Sequence, residues 1–263
     1  MHGQGMTRID PRALVDPRAQ LDATVTVGPF SIIGPDVEIG AGTCIGPHTV
    51  IQGPTRIGRD NRIFQFASIG EAPQDKKYGG EPTWLEIGDR NHIREFTTLH
   101  RGTVQDAGVT RIGNDCLLMA YIHVAHDCQI GNQVIMANAA SLGGHVKIQD
   151  WAILGGFTIV HQFCRIGAHS FCAMGSVVAK DVPPYVTVGG HPAAPHGINS
   201  EGLRRRGFAD ATLQQIKRAY CLIYKSQLKL DHAMTALQAL VENCPEVEVL
   251  VDFLGHSERS ILR

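Results

Sequence analysis

From Ile9 onward, every sixth residue is aliphatic: Ile9, Val15, Leu21, Val27, Ile33, Ile39, Ile45, Ile51, Ile57, Ile63 and Ile69. The next position is often Gly or Asp, as at Asp10, Asp16, Gly28, Gly34 and Gly46. Four steps after each aliphatic stands a small or β-branched residue, from Ala13 through Ser31 to Thr55. The pattern pauses between Glu71 and Trp84 and resumes in phase at Ile87, Ile93 and Leu99. A second interruption, Gly102 to Arg111, shifts the frame by one, and the repeat then runs from Ile112 to Val178. Twenty-six hexads follow one rule.

A helix repeats every 3.6 residues and a strand every two, so neither alone explains a period of six. One short strand plus one turn does. Three such sides close a coil, and successive coils stack through parallel ladders about 4.8 Å apart. Nearly nine coils predict a triangular prism roughly 40 Å tall. The aliphatics should stack inside as columns. The glycines are expected to serve turns that need positive φ. The prism is expected to stop near Asp181, because prolines 183, 184, 192 and 195 remove ladder donors. Beyond about Gly197 the spacing becomes helical, with Leu213, Ile216, Tyr220 and Ile223 on one face. Met234, Leu237, Val241 and Cys244 form a second such face, and Val247, Leu250, Val251 and Leu254 a third segment. These helices read as a cap over the open end of a solenoid. The division expected is a prism over 1–196 and a helical domain over 197–263.

Composition narrows the class. Glycine is 29 of 263 residues, and charged residues are 19%, against a usual share of about 25%. The net charge of −1 gives no global field for nucleic acid. The N-terminus has no apolar run of a secretory signal, and the longest uncharged apolar stretch, Ala152 to Val160, is far below the ~20 residues of a membrane helix. Seven cysteines without a CxxC pair argue against a disulfide framework or zinc knuckle. The chain is expected to be cytoplasmic and its cysteines to be core residues.

Chemistry is expected where the regular wall breaks. The first break, Gly70 to Pro82, carries Gln74, Asp75, Lys77 and Tyr78. Beyond it His123, His126, His145 and His161 recur about one coil apart, with Asp127 beside His126 and His100 as a fifth. Two chemistries fit such a stack. Three imidazoles and a water make a zinc site, as in the carbonic-anhydrase branch of hexapeptide proteins. One oriented imidazole makes a general base toward an alcohol. A non-catalytic scaffold is the third reading. Spacing alone does not choose.

The stretches Phe64–Gly70, Ile87–Asn91, His100–Gln105, Ala125–Cys128, Gly144–Val146, Val160–Cys164, Asp181–Tyr185 and Glu201–Phe208 resemble a particular family. It is that of the bacterial acyl-[acyl-carrier-protein]–UDP-N-acetylglucosamine O-acyltransferases of lipid A synthesis, hexapeptide-repeat enzymes. The resemblance runs from about residue 9 to Arg263. It implies an all-β, left-handed parallel β-helix with a C-terminal α-helical cap. The related N-acyltransferase of the pathway carries an extra uridine-binding domain before its repeats, and hexads that begin at Ile9 leave no room for one.

The implied reaction moves a (3R)-3-hydroxyacyl group from acyl carrier protein to the sugar 3-hydroxyl of UDP-N-acetylglucosamine, without metal or cofactor. The resemblance makes His126 the base, Asp127 its partner and Gly144 the oxyanion donor. Gln74, Asp75, Lys77, His123, His145, His161 and Gln162 become ligands for the acyl donor, sugar and pyrophosphate. Asn199, Glu201 and Arg205 become the uridine and phosphate end, and the Arg204–Arg206 run a docking place for the acidic carrier protein. It further implies a homotrimer with sites at subunit interfaces. Met174 stands where relatives that use longer chains carry glycine, which implies a donor shorter than hydroxymyristoyl. Gly190-His191-Pro192 departs from the Asn-His or Asn-Pro of some relatives, so His191 is given no role.

Overall fold

The computed structural model describes residues 8–257 and 260–263, so residues 1–5 ahead of Met6 lie outside it. The hexads fold as short strands such as Cys44–Ile45 and Arg62–Ile63. They form three sheets of 11, 9 and 8 strands, referred to as sheets 1, 2 and 3. Successive hexads enter different sheets, and every third returns in register, Thr26 beside Cys44 and Cys44 beside Arg62. The inward residues stack as expected. Ile33, Ile51, Ile69, Leu99, Val124 and Leu142 form the sheet 2 column and are almost wholly buried. Each such burial is worth about 1.5–3 kcal/mol.

The small inward residues do more than fill corners. Thr43, Asn61 and Asn91 are fully buried. Asn61 Nδ2 donates to Gly88 O at 2.9 Å, and its Oδ1 accepts from Asn91 N at 2.9 Å. Asn91 repeats the pattern, donating to Gly113 O at 2.9 Å and accepting from Cys116 N at 2.8 Å. Backbone groups that the turns leave unpaired inside the prism are satisfied by these amides.

Gly42 and Gly70 take the positive φ expected, but most glycines at the step after the aliphatic work differently. Gly28 and Gly46 lie outside the positive-φ region. A Cβ on Gly28 would come 2.7 Å from Pro47 N, and one on Gly46 2.9 Å from Gln65 N. Close approach of the next coil, not turn conformation, excludes a side chain there. The left-handed residue stands two places later and usually carries a side chain, as at Phe30 (φ 59°), His48 (54°), Phe66 (64°) and Phe96 (58°). These rings stack up the corner between sheets 1 and 2, ending on Tyr121, with centroids 4.8–5.4 Å apart. Stacking of this kind offsets part of the left-handed strain.

The prolines do not end the sheet near Asp181. Val186–Gly190 continues sheet 1 beside Phe171–Cys172, and Ala193–Ile198 returns antiparallel to it. Pro183 and Pro184 precede the first of these strands, Pro192 lies in the turn, and Pro195 sits on the edge strand. All four occupy places where a missing N–H is tolerated.

Among the described residues four α-helices follow, α1 (Ser200–Arg205), α2 (Asp210–Tyr224), α3 (Leu230–Val241) and α4 (Glu248–Gly255), with a 3₁₀ turn at Pro245–Val247 before the last. α2 buries the predicted face plus Ala219, and Leu237, Leu240, Val247 and Leu250 share a second core with Tyr185 and Leu203. The chain end returns to the last coil. Arg165 Nη1 donates to His256 O at 2.7 Å, Ser257 Oγ to Asp181 Oδ2 at 2.6 Å and Leu262 N to Asp181 O at 2.9 Å. Among the described residues no helix is long and apolar enough to cross a membrane. Five cysteines are buried, but Cys44 and Cys221 are exposed, contrary to expectation. Cys44 occupies an outward strand position and Cys221 the solvent face of α2.

Asn91→Ala removes both ends of a buried amide bridge. It is expected to lower unfolding stability by about 2–4 kcal/mol, read from the urea midpoint. A loss under about 0.5 kcal/mol would mean the ladder is dispensable.

Candidate active site

Both interruptions leave the wall beside sheet 2. The first loop follows Ser68–Glu71 and the second follows Thr98–His100. Each is tied at its root. His100 Nδ1 donates to Ala72 O at 2.8 Å, and Arg101 reaches both Gly53 O and the Tyr78 hydroxyl. His100 therefore anchors the first loop.

The corner between sheets 2 and 3 brings together the predicted base, its acidic partner and the predicted oxyanion donor. His126 and Asp127 form one turn there, and the coil above places Gly144 over His126 and His145 over Asp127. His126 Nδ1 donates to Asp127 Oδ2 at 2.8 Å, which leaves Nε2 free of that bond and able to take a proton. Asp127 is 1% exposed. Its carboxylate also accepts from Thr103 N at 2.9 Å and Thr103 Oγ1 at 2.6 Å. Three donors thus hold its charge, as burial requires. A Cβ on Gly144 would lie 2.7 Å from His126 Nε2. The glycine lets the imidazole lie against the backbone.

The amide at the Gly144 place in each turn is not used by the ladder. On the corner between sheets 3 and 1 these amides are taken by side chains, Arg59 N by Asp89, Asp89 N by Asn114 and Asn114 N by Asn132. Among the described residues Gly144 N–H has no such acceptor, while Gly143 and His145 donate to Val160 and His126. A free amide donor beside an oriented imidazole is what a developing oxyanion requires.

A cleft of about 620 Å³ opens on this corner and brings together Gln74, Asp75, Lys77, His126, His145 and Gln162. Gln105, Asp106 and Phe163 also line it. The second interruption marked their region, but only its frame shift was read from the sequence. His123 and His161 are not in this lining. His123 Nδ1 meets Thr98 Oγ1 at 2.8 Å, and burial, with His100 nearby, holds its imidazole below the usual range. His161 is exposed one coil further on, its Nδ1 facing Gln162 O at 3.1 Å. Asn199, Glu201 and Arg205 stand elsewhere. Asn199 caps α1 through Gly202 N and donates to His169 O at 3.0 Å on the corner between sheets 3 and 1. Glu201 pairs with Arg205 at 3.0 Å on its surface. Met174 is 77% exposed on the third corner, between sheets 1 and 2.

A larger, open hollow of about 840 Å³ lies along sheet 3, lined by Arg56, Glu86, Arg111 and Lys147. Glu86 pairs with both Arg56 and Arg111, and no imidazole enters it. The smaller cleft is the one that gathers the imidazoles. Donor atoms of His126, Asp127 and His145 lie within 4.8 Å of one another. That set is two imidazoles and a carboxylate already engaged by three donors, not the three imidazoles of the zinc reading. Cys128, next along, is fully buried, and burial pushes its thiol up to about 12, far from a nucleophile at neutral pH.

Comparison with known proteins decides the family. A family model described as UDP N-acetylglucosamine O-acyltransferase, domain 2, matches residues 181–262. A bacterial transferase hexapeptide model matches 18–53 and 110–144. An acyl-[acyl-carrier-protein]–UDP-N-acetylglucosamine O-acyltransferase of Halorhodospira halophila is 61% identical over 98% of this chain and 100% of its own. One from Janthinobacterium is 58% identical, again over 98% and 100%. The chain belongs to this O-acyltransferase family. Solved members superpose throughout. The Moraxella catarrhalis UDP-N-acetylglucosamine O-acyltransferase does so with TM-score 0.95 and 46% identity, covering 97% of this chain and 99% of its own. The Francisella novicida UDP-N-acetylglucosamine acyltransferase gives 0.95 and 42%, covering 97% and 94%. The prism is left-handed, as theirs are. The protein is an acyltransferase of this family.

Gly144→Ala is expected to displace the His126 ring and reduce acyl transfer by about 10²-fold or more, with the circular dichroism melt unchanged. Turnover within threefold of wild type would mean that the close approach of His126 to residue 144 is dispensable.

Proposed function

We propose that the protein transfers a (3R)-3-hydroxyacyl group from acyl carrier protein to the 3-hydroxyl of UDP-N-acetylglucosamine, the first step of lipid A biosynthesis, in the cytoplasm. The observation that carries this reading is the Asp127–His126–Gly144 arrangement: a buried carboxylate, an imidazole with one nitrogen fixed, and an unused amide beside it. His126 Nε2 takes the proton of the sugar hydroxyl as its oxygen attacks the thioester carbonyl. The carbonyl oxygen gains negative charge and accepts from Gly144 N–H. The intermediate then expels the carrier thiolate, which recovers the proton from the His126 imidazolium. Asp127 stabilises that imidazolium while it exists. A positioned base of this kind contributes about 10²–10⁴ in rate. Asp75, Lys77, His145 and Gln162 line the same cleft and bind the sugar and acyl donor, with Gln74 beside them.

The assembly proposed is a homotrimer with shared sites. Two features support it. The corner between sheets 1 and 2 exposes a largely apolar column in which Phe30, Phe66, Phe96, Tyr121 and Phe157 are each 44–64% exposed, with His48 and Ala139 among them. Met174, and the Asn199–Arg205 helix, stand on different corners from His126, so one chain alone holds only part of the residue set. A neighbouring prism brings Met174 to the far end of the acyl groove. Asn199, Glu201 and Arg205 reach the uridine diphosphate in the same way. His123 and His161 flank the cleft along sheet 2 and extend the binding wall. The Arg204–Arg206 run offers charge to the acidic carrier protein.

The test is direct. UDP-N-acetylglucosamine is incubated with 3-hydroxyacyl carrier proteins of several lengths, and the 3-O-acyl product is measured. His126→Ala is expected to lose about 10³-fold in turnover with its fold intact. Absence of product from the wild-type chain with every donor would overturn the proposal.

Each buried methylene is worth about 0.8 kcal/mol, so a methionine that shortens the groove by a few carbons excludes longer chains. Wild type is expected to favour hydroxydecanoyl or hydroxylauroyl donors, and Met174→Gly to accept hydroxymyristoyl. Hydroxymyristoyl reacting fastest with wild type, or a fully active monomer in sedimentation, would contradict the shared groove.

A further inference from the structure

The second interruption grips both imidazoles of the cleft, through different residues. Thr103, at its start, holds Asp127 by backbone and hydroxyl, and Asp127 holds His126. Asp106, three residues on, holds His145: its Oδ2 lies 2.8 Å from His145 Nδ1. His145 is otherwise fixed by packing. Phe163 stacks on it at 4.4 Å, and its edge meets His126 with centroids 5.0 Å apart at 90°. Stacking alone leaves the ring free to flip about its Cβ–Cγ bond, which exchanges Nδ1 with Cδ2 and Nε2 with Cε1. The hydrogen bond to Asp106 sets which way the ring faces and which nitrogen carries the proton.

We propose that Asp106 is a positioning residue that fixes the Nδ1–H form of His145 and so commits His145 Nε2 to the substrate side of the cleft. This rests on the reading of the cleft as the sugar-nucleotide site. The two carboxylates have the same relation to their imidazoles but different settings. Asp127 is 1% exposed and Asp106 47%. The buried pair serves the proton transfer. The open pair serves ligand orientation, because its loss leaves no uncompensated charge in the interior. The hydrogen bond from His145 also holds the Asp106 carboxyl below its ordinary range, with Lys147 adding a smaller attraction. Asp106 is thus an ionised acceptor at neutral pH, and a charge-assisted bond of 2.8 Å is of the strong kind. His145 Nε2 then lies 3.9 Å from Asp127 Oδ2, beyond direct hydrogen bonding and available to a ligand atom.

The experiment compares wild type, Asp106→Ala and Asp106→Asn, the last keeping an acceptor without the charge. The side-chain nitrogens of His145 are observed by ¹⁵N-resolved NMR, assigned with His145→Gln, and KM for UDP-N-acetylglucosamine is measured alongside kcat. Wild type should show a protonated Nδ1. Asp106→Ala should lose that preference and raise KM on the order of threefold to tenfold, with kcat changed less than twofold. Asp106→Asn should restore most of both. A protonated Nδ1 that persists in Asp106→Ala would overturn the assignment. So would an unchanged KM, or a kcat loss as deep as that of Asp127→Ala. Were the wild-type chain to turn over no sugar nucleotide, the proposed activity would fall, while the His145 spectra would still decide what Asp106 does.

Discussion

The inter-coil hydrogen-bond ladder is the constraint on which everything else depends. It fixes each residue to one place above the residue of the preceding coil, Thr26 to Cys44 and His123 to Ser141. Once register is fixed, chemistry becomes a matter of columns. Glycine appears where the next coil's backbone approaches too closely for a Cβ, as at Gly28 and Gly46. Amides fill the buried corner where turns leave carbonyls, as at Asn61 and Asn91. The same stacking sets a bare glycine against an imidazole and an imidazole against a carboxylate, without any long-range loop to bring them together.

The cleft beside His126 is nevertheless not a product of regularity alone. A plain prism has flat walls that give a substrate nothing to enter. The two breaks in the repeat supply relief: the first adds Gln74, Asp75 and Lys77 as one rim of the cleft, the second adds Gln105 and Asp106 as another. Thr103 shows why the second break sits where it does. Asp127 is buried, and the extra residues supply two of the donors to its carboxylate through Thr103. The breaks thus add their residues to regular columns that already hold His126, Asp127, Gly144 and His145.

Much of this was legible in the sequence. The aliphatic period named the columns, and its pauses named the loops. The stacking of His145 about one coil above His126 follows from the coil length, whereas Gly144 enters through the family resemblance. Other features were not legible, for physical reasons. The hexad pattern marks where glycine occurs but not why, and left-handed turns carrying Phe or His run against ordinary conformational preference. Pro183 and Pro184 look like terminators until one sees that only their positions before the strand matter. Asp106 is a lone acid in a polar loop, and nothing local reveals that His145, 39 residues later, closes onto it. Which corner Met174 occupies relative to His126 also emerged only with the three sheets in hand.

The two ends of the column are held very differently. At the C-terminal end, Arg165, Asp181, Tyr185 and Leu262 bind the last coils to the helices. At the other end, Ile9 is 39% and Leu14 66% exposed, with Val15 and Leu21 only half covered. Because each rung leans chiefly on its nearest neighbours, such a stack comes apart like a zipper from its looser end. Transient opening would therefore visit the lowest rungs first, and the histidine-bearing rungs, several storeys higher, keep their geometry through fluctuations that already loosen the base.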